Sequence, residues 1–207
     1  METDPHPTLE ESESPSPSTT PGRLVVLSGA SGSGKSTLVD RLLARHGDLP
    51  IRQSISTTTR DPRPGEVGGV NYDFVSKAQF EAGRDQGKYL EWAKVHDHYY
   101  GTYAEPVTRA RGQGLSVILV IDVQGAMQVR EKVPDALLIF IQAPSFDILE
   151  RRLRDRKTDD EATIELRLNN ARREVAMADQ YDHQITNDDL DRAVDELATI
   201  LKPPLGG

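Results

Sequence analysis

The chain of 207 residues contains no cysteine, which excludes disulfides and thiolate metal sites and suits a reducing, cytoplasmic setting. Aromatic residues make up only 5%, with a single tryptophan. No apolar run approaches the roughly 20 residues of a membrane span, and no apolar N-terminal stretch resembles a secretory signal. Residues 1–21 have five acids, one leucine and no Lys or Arg. That segment cannot bury enough apolar surface to offset its ordering entropy, so a disordered tail is expected there. It accounts for five of the eight net negative charges, leaving the rest near −3. A broadly basic nucleic-acid surface is therefore not indicated. Hydrophobic residues at 36% and a mean hydropathy of −0.54 describe a soluble globular chain of one domain.

From Arg23 the pattern becomes ordered. Leu24–Leu27, Ser116–Ile121 and Leu137–Ile141 are short continuous apolar runs, the signature of strands buried on both faces. Helical patterns alternate with them over Lys35–Arg45, Val123–Lys132 and Ser145–Arg156. Ile164, Leu168, Ala171, Val175 and Ala178 form a stripe along one further helix, and Asp188–Leu201 reads as a closing helix capped by Asn187 or Asp188. Alternating strands and helices imply a parallel sheet covered on both faces. Residues 55–106 break that rhythm with a turn-rich stretch and strand-like pieces at Tyr72–Val75 and Tyr89–Val95, which reads as a small α+β insertion.

Residues Gly29-Ala30-Ser31-Gly32-Ser33-Gly34-Lys35-Ser36 match the phosphate-loop pattern G-x-x-x-x-G-K-[ST]. The loop follows an apolar strand and opens an amphipathic helix, the context in which backbone N–H groups can surround phosphate oxygens. Lys35 is expected to reach the outer phosphates and the Ser36 hydroxyl to ligate Mg²⁺. In the insertion, Arg60 and Arg63 stand three apart in a proline-stiffened loop, and paired guanidinium forks suit a phosphate. Tyr72 and Tyr100 offer hydroxyls nearby in sequence. Glu91 is an acid inside an apolar strand, a pattern that also fits an edge residue facing water. Arg151–Lys157 fits a solvated helix face as well as a phosphate clamp. Asp122 follows a parallel strand, where ligands of open α/β sheets bind. His96 and His98 lack clustered partners and read as loop histidines, and Trp92 reads as packing.

Taken together, LSGASGSGKST, SISTTTRDPRPGEVGGVNYDF, YLEWAKVHDHYYGTY, VIDVQG, RRLRDRKTDDEATIELRL and ITNDDL resemble guanylate kinases, in order over nearly the whole ordered chain. The resemblance implies an α/β P-loop NTPase-type core at residues 22–54 and 107–207. It adds a helical lid at about 152–170 and a GMP-binding insertion at 55–106. ATP and GMP or dGMP would be the substrates, with Mg²⁺ and without nucleic acid, membrane or a known protein partner. Ser56, Glu91, Thr102 and Asp122 would contact guanine, and Arg60, Arg63, Tyr72 and Tyr100 would hold its phosphate. Residues Ala30, Ser31, Gly32, Ser33, Gly34, Lys35, Ser36 and Thr37 would bind the donor, with Asn187 near its adenine. Arg152, Arg156 and Arg167 would close over the transferred group beside Lys35. Three positions depart from the pattern: Ala30 replaces a proline, Lys157 a glycine and Val120 an acid. Related scaffold domains that have lost catalysis and bind proteins form the competing class, and a P-loop kinase with another acceptor forms a third.

Overall fold

A computed structural model describes residues 20–95, 97–155 and 160–202. Strands β1 (Leu24–Ser28), β2 (Ile51–Gln53), β7 (Ser116–Val120), β8 (Leu137–Gln142) and β9 (His183–Thr186) form one parallel sheet in the order β2-β7-β1-β8-β9. Helices cover both faces, which is why the central strands are apolar at every position. Val26, Leu119 and Phe140 point to one face, against Ala110 of α3 (Ala104–Gly112) and Ala126 and Val129 of α4 (Val123–Lys132). Val25, Leu27, Ile118 and Ile139 point to the other, against Leu38 and Leu42 of α1 (Lys35–Arg45) and Val194 and Leu197 of α7 (Leu190–Leu201).

A second sheet is built from β3 (Thr57–Thr58), β4 (Asp73–Phe74), β5 (Tyr89–Val95) and β6 (His98–Tyr103), in the order β4-β3-β6-β5. Most of the few aromatics of the chain gather here. Phe80 of α2 (Lys77–Asp85) is fully buried and stacks on Tyr89 at 4.4 Å and on Tyr99 at 5.2 Å. Tyr89 in turn stacks on Tyr103 at 4.5 Å. Flat rings fill a core too small for many aliphatic layers, and each buries a large area per residue ordered.

The helices α5 (Phe146–Arg154) and α6 (Glu161–Val175) are tied by Arg154, which grips both carboxylate oxygens of Glu161 at 2.6 and 2.7 Å. The apolar stripe expected on one helix divides among three surfaces. Ile164 and Leu168 pack on Leu153, Ala171 packs on Ala30 and Leu149, and Ala178 joins Phe140 and Tyr181 in the main core. Helix α6 ends at Val175, which is 40% exposed, and Ala178 sits in a separate 3₁₀ turn. The chain must turn there to feed β9, so the period continues in sequence but not in space.

Helix α7 begins at Leu190, later than the pattern suggests. Its cap is Asp189, whose carboxylate accepts the N–H of Arg192 at 2.9 Å. The Asn187 N–H is donated to the Gln142 carbonyl at 2.8 Å and its side-chain amide to Ser33, so Asn187 extends the pairing with β8 by one bond and its side chain is turned away from the helix start. Among the described residues, no helix is long and apolar enough to cross a membrane. Replacing the cap, Asp189→Ala, is expected to cost about 1 kcal/mol of unfolding free energy in a denaturant titration, with little change in the denaturant slope.

Candidate active site

The phosphate loop lies between β1 and α1, at the carboxyl end of the parallel sheet. Two of its glycines are dictated by geometry. Gly29 has φ +140°, and a Cβ there would stand 2.0 Å from the Ile141 carbonyl oxygen. Gly34 has φ +93°, and a Cβ there would stand 2.3 Å from the Asn187 amide nitrogen. Helix α1 has no acid in its first turn and no side-chain cap, so its leading N–H groups are left to face an anion. Lys35 donates to the carbonyls of Gly29 and Ala30 at 2.6 and 3.1 Å, which folds its ammonium over the loop. Ser36 and Thr37 are exposed at the helix start, while Ser33 is buried.

Asn187 is only 6% exposed, and its amide donates to the Ser33 carbonyl at 2.8 Å. Its side chain therefore braces the phosphate loop from behind and does not line the cleft. Its carbonyl accepts Arg152 at 3.0 Å, linking α5 to the same brace. Arg167 is half-buried on α6, and Arg156 lies outside the described residues.

A cleft of about 560 Å³ opens in front of the loop. Lys35 and Ser36 line one side, and Ser56, Tyr72, Glu91 and Tyr100 the other. Asp122 lies between them at the head of α4, accepting the Gly125 N–H at 2.8 Å. The volume falls within the range of small-molecule sites. Val120 also borders this space.

Glu91 does not face water. It is 3% exposed, and Thr102 donates its hydroxyl proton to it at 2.6 Å. Thr102 is fully buried and absent from the cleft wall. Its proton goes to the acid and not into the cleft, where the resemblance implies a contact with the base. Burial pushes the Glu91 carboxyl up to about 7, opposed by the Thr102 bond and reinforced by the negative charge of Asp122. Asp122 is likewise raised by burial, against the pull of its backbone N–H partners.

Arg60 is held by Glu66 at 2.9 Å on each of two nitrogens and lies over the Tyr72 ring at 5.5 Å. Glu66 also accepts the Arg63 N–H at 2.8 Å, so one acid ties both arginine positions into a single turn. The Arg63 side chain is exposed, and Tyr72 meets Tyr100 edge to face at 6.1 Å. Glu66 was legible only as part of the PRPGE string.

Sequence reasoning missed Asn170, Arg173 and Glu174, all on the cleft side of α6. Burial raises the Glu174 carboxyl, while Lys35 and the Ser31 N–H pull it down. An acid on the continuation of the buried stripe, three residues past Ala171, was the available signal.

The folded value of Glu91 lies above its ordinary 4.5. The stability it confers is therefore complete below about pH 4.5 and lost as pH rises through about 7. Melting curves of the unliganded protein and of Glu91→Gln should show this. The melting temperature of the variant should rise relative to the parent between about pH 5 and about pH 8, and a constant difference would mean that Glu91 does not titrate there.

The guanylate kinase family model matches residues 21–203. The guanylate kinase of Synechococcus sp. (strain JA-3-3Ab) is 47% identical over 199 residues, covering 96% of this chain and 91% of that protein. The guanylate kinase of Neisseria meningitidis (serogroup A / serotype 4A) is 50% identical over 180 residues, 87% of each chain. A crystal structure of guanylate kinase from Anaplasma phagocytophilum superposes with a TM-score of 0.73 at 32% identity, covering 88% of this chain and 86% of that one. Agreement at this level extends through both sheets and the phosphate loop alike, and the chain belongs to the guanylate kinase family.

Proposed function

We propose that the chain transfers the γ-phosphoryl group of ATP to GMP or dGMP, giving ADP and GDP for purine nucleotide metabolism in a reducing cytoplasm. The observation that carries this reading is the shared cleft, with Lys35 and Ser36 on one wall and Glu91 and Ser56 on the other. Guanine presents N1–H and N2–H₂ donors beside the O6 acceptor. The Glu91 carboxylate accepts both donors, and the Ser56 hydroxyl donates to O6. Adenine has an unprotonated N1, which would set a lone pair against a carboxylate oxygen. Asp122 adds a second acceptor on the core side. Thr102 serves the base indirectly, by aiming Glu91.

The GMP phosphate sits with Arg60, Arg63, Tyr72 and Tyr100, and Arg60 must share or exchange its bond to Glu66 to reach it. A GMP phosphate oxygen attacks the γ-phosphorus of ATP. One P–O bond forms, the bridging β–γ P–O bond breaks, and its electron pair leaves on ADP. The attacking phosphate is already ionised near neutral pH, so no protein base is needed. Positioning and charge neutralisation then carry the rate. Residues 30–37 cradle the donor phosphates, with Lys35 on the outer ones. Arg152 and Arg167 neutralise charge on the transferred group, with Arg156 as the third cation the resemblance implies.

The donor set at the loop is hard oxygen, an exposed serine hydroxyl with a carboxylate across the cleft, which fits Mg²⁺. Ser36 would hold the ion together with phosphate oxygens, and the bound ion supplies neutralisation of phosphate charge. The valine at position 120 removes one carboxylate from this end of the sheet and spares Asp122 a like-charged neighbour.

An ADP-release assay against GMP, dGMP, AMP, CMP and UMP tests the reading. Turnover is expected with the guanine nucleotides, with AMP at least about a hundredfold poorer. Comparable turnover with AMP would overturn the base assignment, and no turnover with any acceptor would move the chain to the protein-binding class. Lys35→Met should lower kcat by at least about 10²-fold while leaving the melting temperature near the parent's.

A further inference from the structure

Strand β5 is the edge of the second sheet, and its outer side is not open. The Gln128 side chain accepts the Trp92 N–H at 3.1 Å and donates to the Trp92 carbonyl at 2.6 Å. A carboxamide offers the same acceptor and donor pair as a peptide group, so Gln128 bonds Trp92 as a neighbouring strand would. Lys132 continues the pairing with a 2.7 Å bond to the Leu90 carbonyl. Four residues along a helix rise about 6 Å, and two along a strand about 7 Å, so α4 and β5 stay in step over this distance. Leu90 and Trp92 share the outer edge of β5, while Glu91, between them, pairs with Thr102 on β6.

The same face of α4 carries Gly125, three residues before Gln128. A Cβ at Gly125 would stand 2.4 Å from a Glu91 carboxylate oxygen, so the acid packs directly on the helix backbone. The Gly125 N–H is donated to Asp122. One turn of helix therefore touches both carboxylates, its own cap Asp122 and Glu91 of the second sheet.

We propose that Gln128 is a positioning residue for guanine recognition: by fixing Trp92 against α4, it sets Glu91 at the distance from Asp122 that the purine edge requires. This rests on the proposed role of Glu91 in reading the base. Gln128 touches neither nucleotide and has no part in the chemistry. Its loss lets the β5 edge drift from α4 and blurs the contact with the 2-amino group first, because that contact depends most on where Glu91 stands.

The test compares the parent, Gln128→Met and Glu91→Gln with GMP, with inosine monophosphate (the same ring without the 2-amino group) and with ATP. Gln128→Met keeps the length of the side chain and loses both bonds. It should raise KM for GMP at least fivefold and reduce the preference for GMP over inosine monophosphate at least threefold. KM for ATP and saturating kcat should stay within twofold. Amide hydrogen exchange at Trp92 should quicken. Gln128→Glu keeps the acceptor for the Trp92 N–H but sets a carboxylate oxygen against the Trp92 carbonyl, so its effect should be at least as large as that of Gln128→Met, which keeps the test decisive if the methionine variant folds poorly. If Glu91→Gln shifts the base preference and neither Gln128 variant does, despite faster exchange at Trp92, the positioning role is overturned while the base reading stands. If Glu91→Gln leaves KM for GMP unchanged, the base reading fails and the proposal with it.

Discussion

The constraint on which the site depends is that backbone N–H groups must face an anion with nothing between them. Gly29 and Gly34 take positive φ where a Cβ would strike the Ile141 carbonyl or the Asn187 amide. The sheet supplies the rest. Strand β1, flanked by β7 and β8, delivers the loop at its carboxyl end, and α1 leaves without a capping side chain. Asn187 then fixes the loop from behind through the Ser33 carbonyl. Such a loop holds its turn through its own backbone and its neighbours, with the Ser33 N–H donated to the Ala30 carbonyl at 3.1 Å.

Charge around this loop is balanced within a short distance. Lys35 folds onto the loop carbonyls, and Asp122 and Glu174 both feel its field. Burial raises both carboxyls while Lys35 lowers them, so each is sensitive to any ligand that displaces water or draws the ammonium away. Glu91 is the extreme case, because its main partner is a neutral hydroxyl and, among the described residues, no cation bonds to it directly. A buried acid so weakly compensated is costly to the fold, and it persists where a ligand supplies the missing donors.

The two sheets meet through α4. One end of the helix is capped by Asp122 beside the phosphate loop, and its middle grips the edge of the aromatic-rich sheet through Gln128 and Lys132. Covering a sheet edge with helix side chains also protects it against pairing with other chains. The two sides of the cleft are thus joined by one helix, without a direct sheet-to-sheet ladder.

Local pattern alone specifies the apolar strands β1, β7 and β8, the helix α1 and the phosphate loop. These depend on local pattern, since a strand buried on both faces must be apolar throughout and a close backbone turn needs glycine. The strings around Arg60, Glu91 and Tyr100 carried the family resemblance for the same reason: their residues are near one another in the chain. Pairings between distant segments emerged only from packing. Strand β9, HQIT, has a weak pattern and is a strand because β8 lies beside it. The Asn187 amide faces Ser33, 154 residues away, and Thr102 faces Glu91, not the cleft. Gln128 looks like any polar residue on a helix until Trp92 is set against it. Hydrogen bonds between remote segments leave no periodicity in the chain, because the partner's position is fixed by packing and not by spacing.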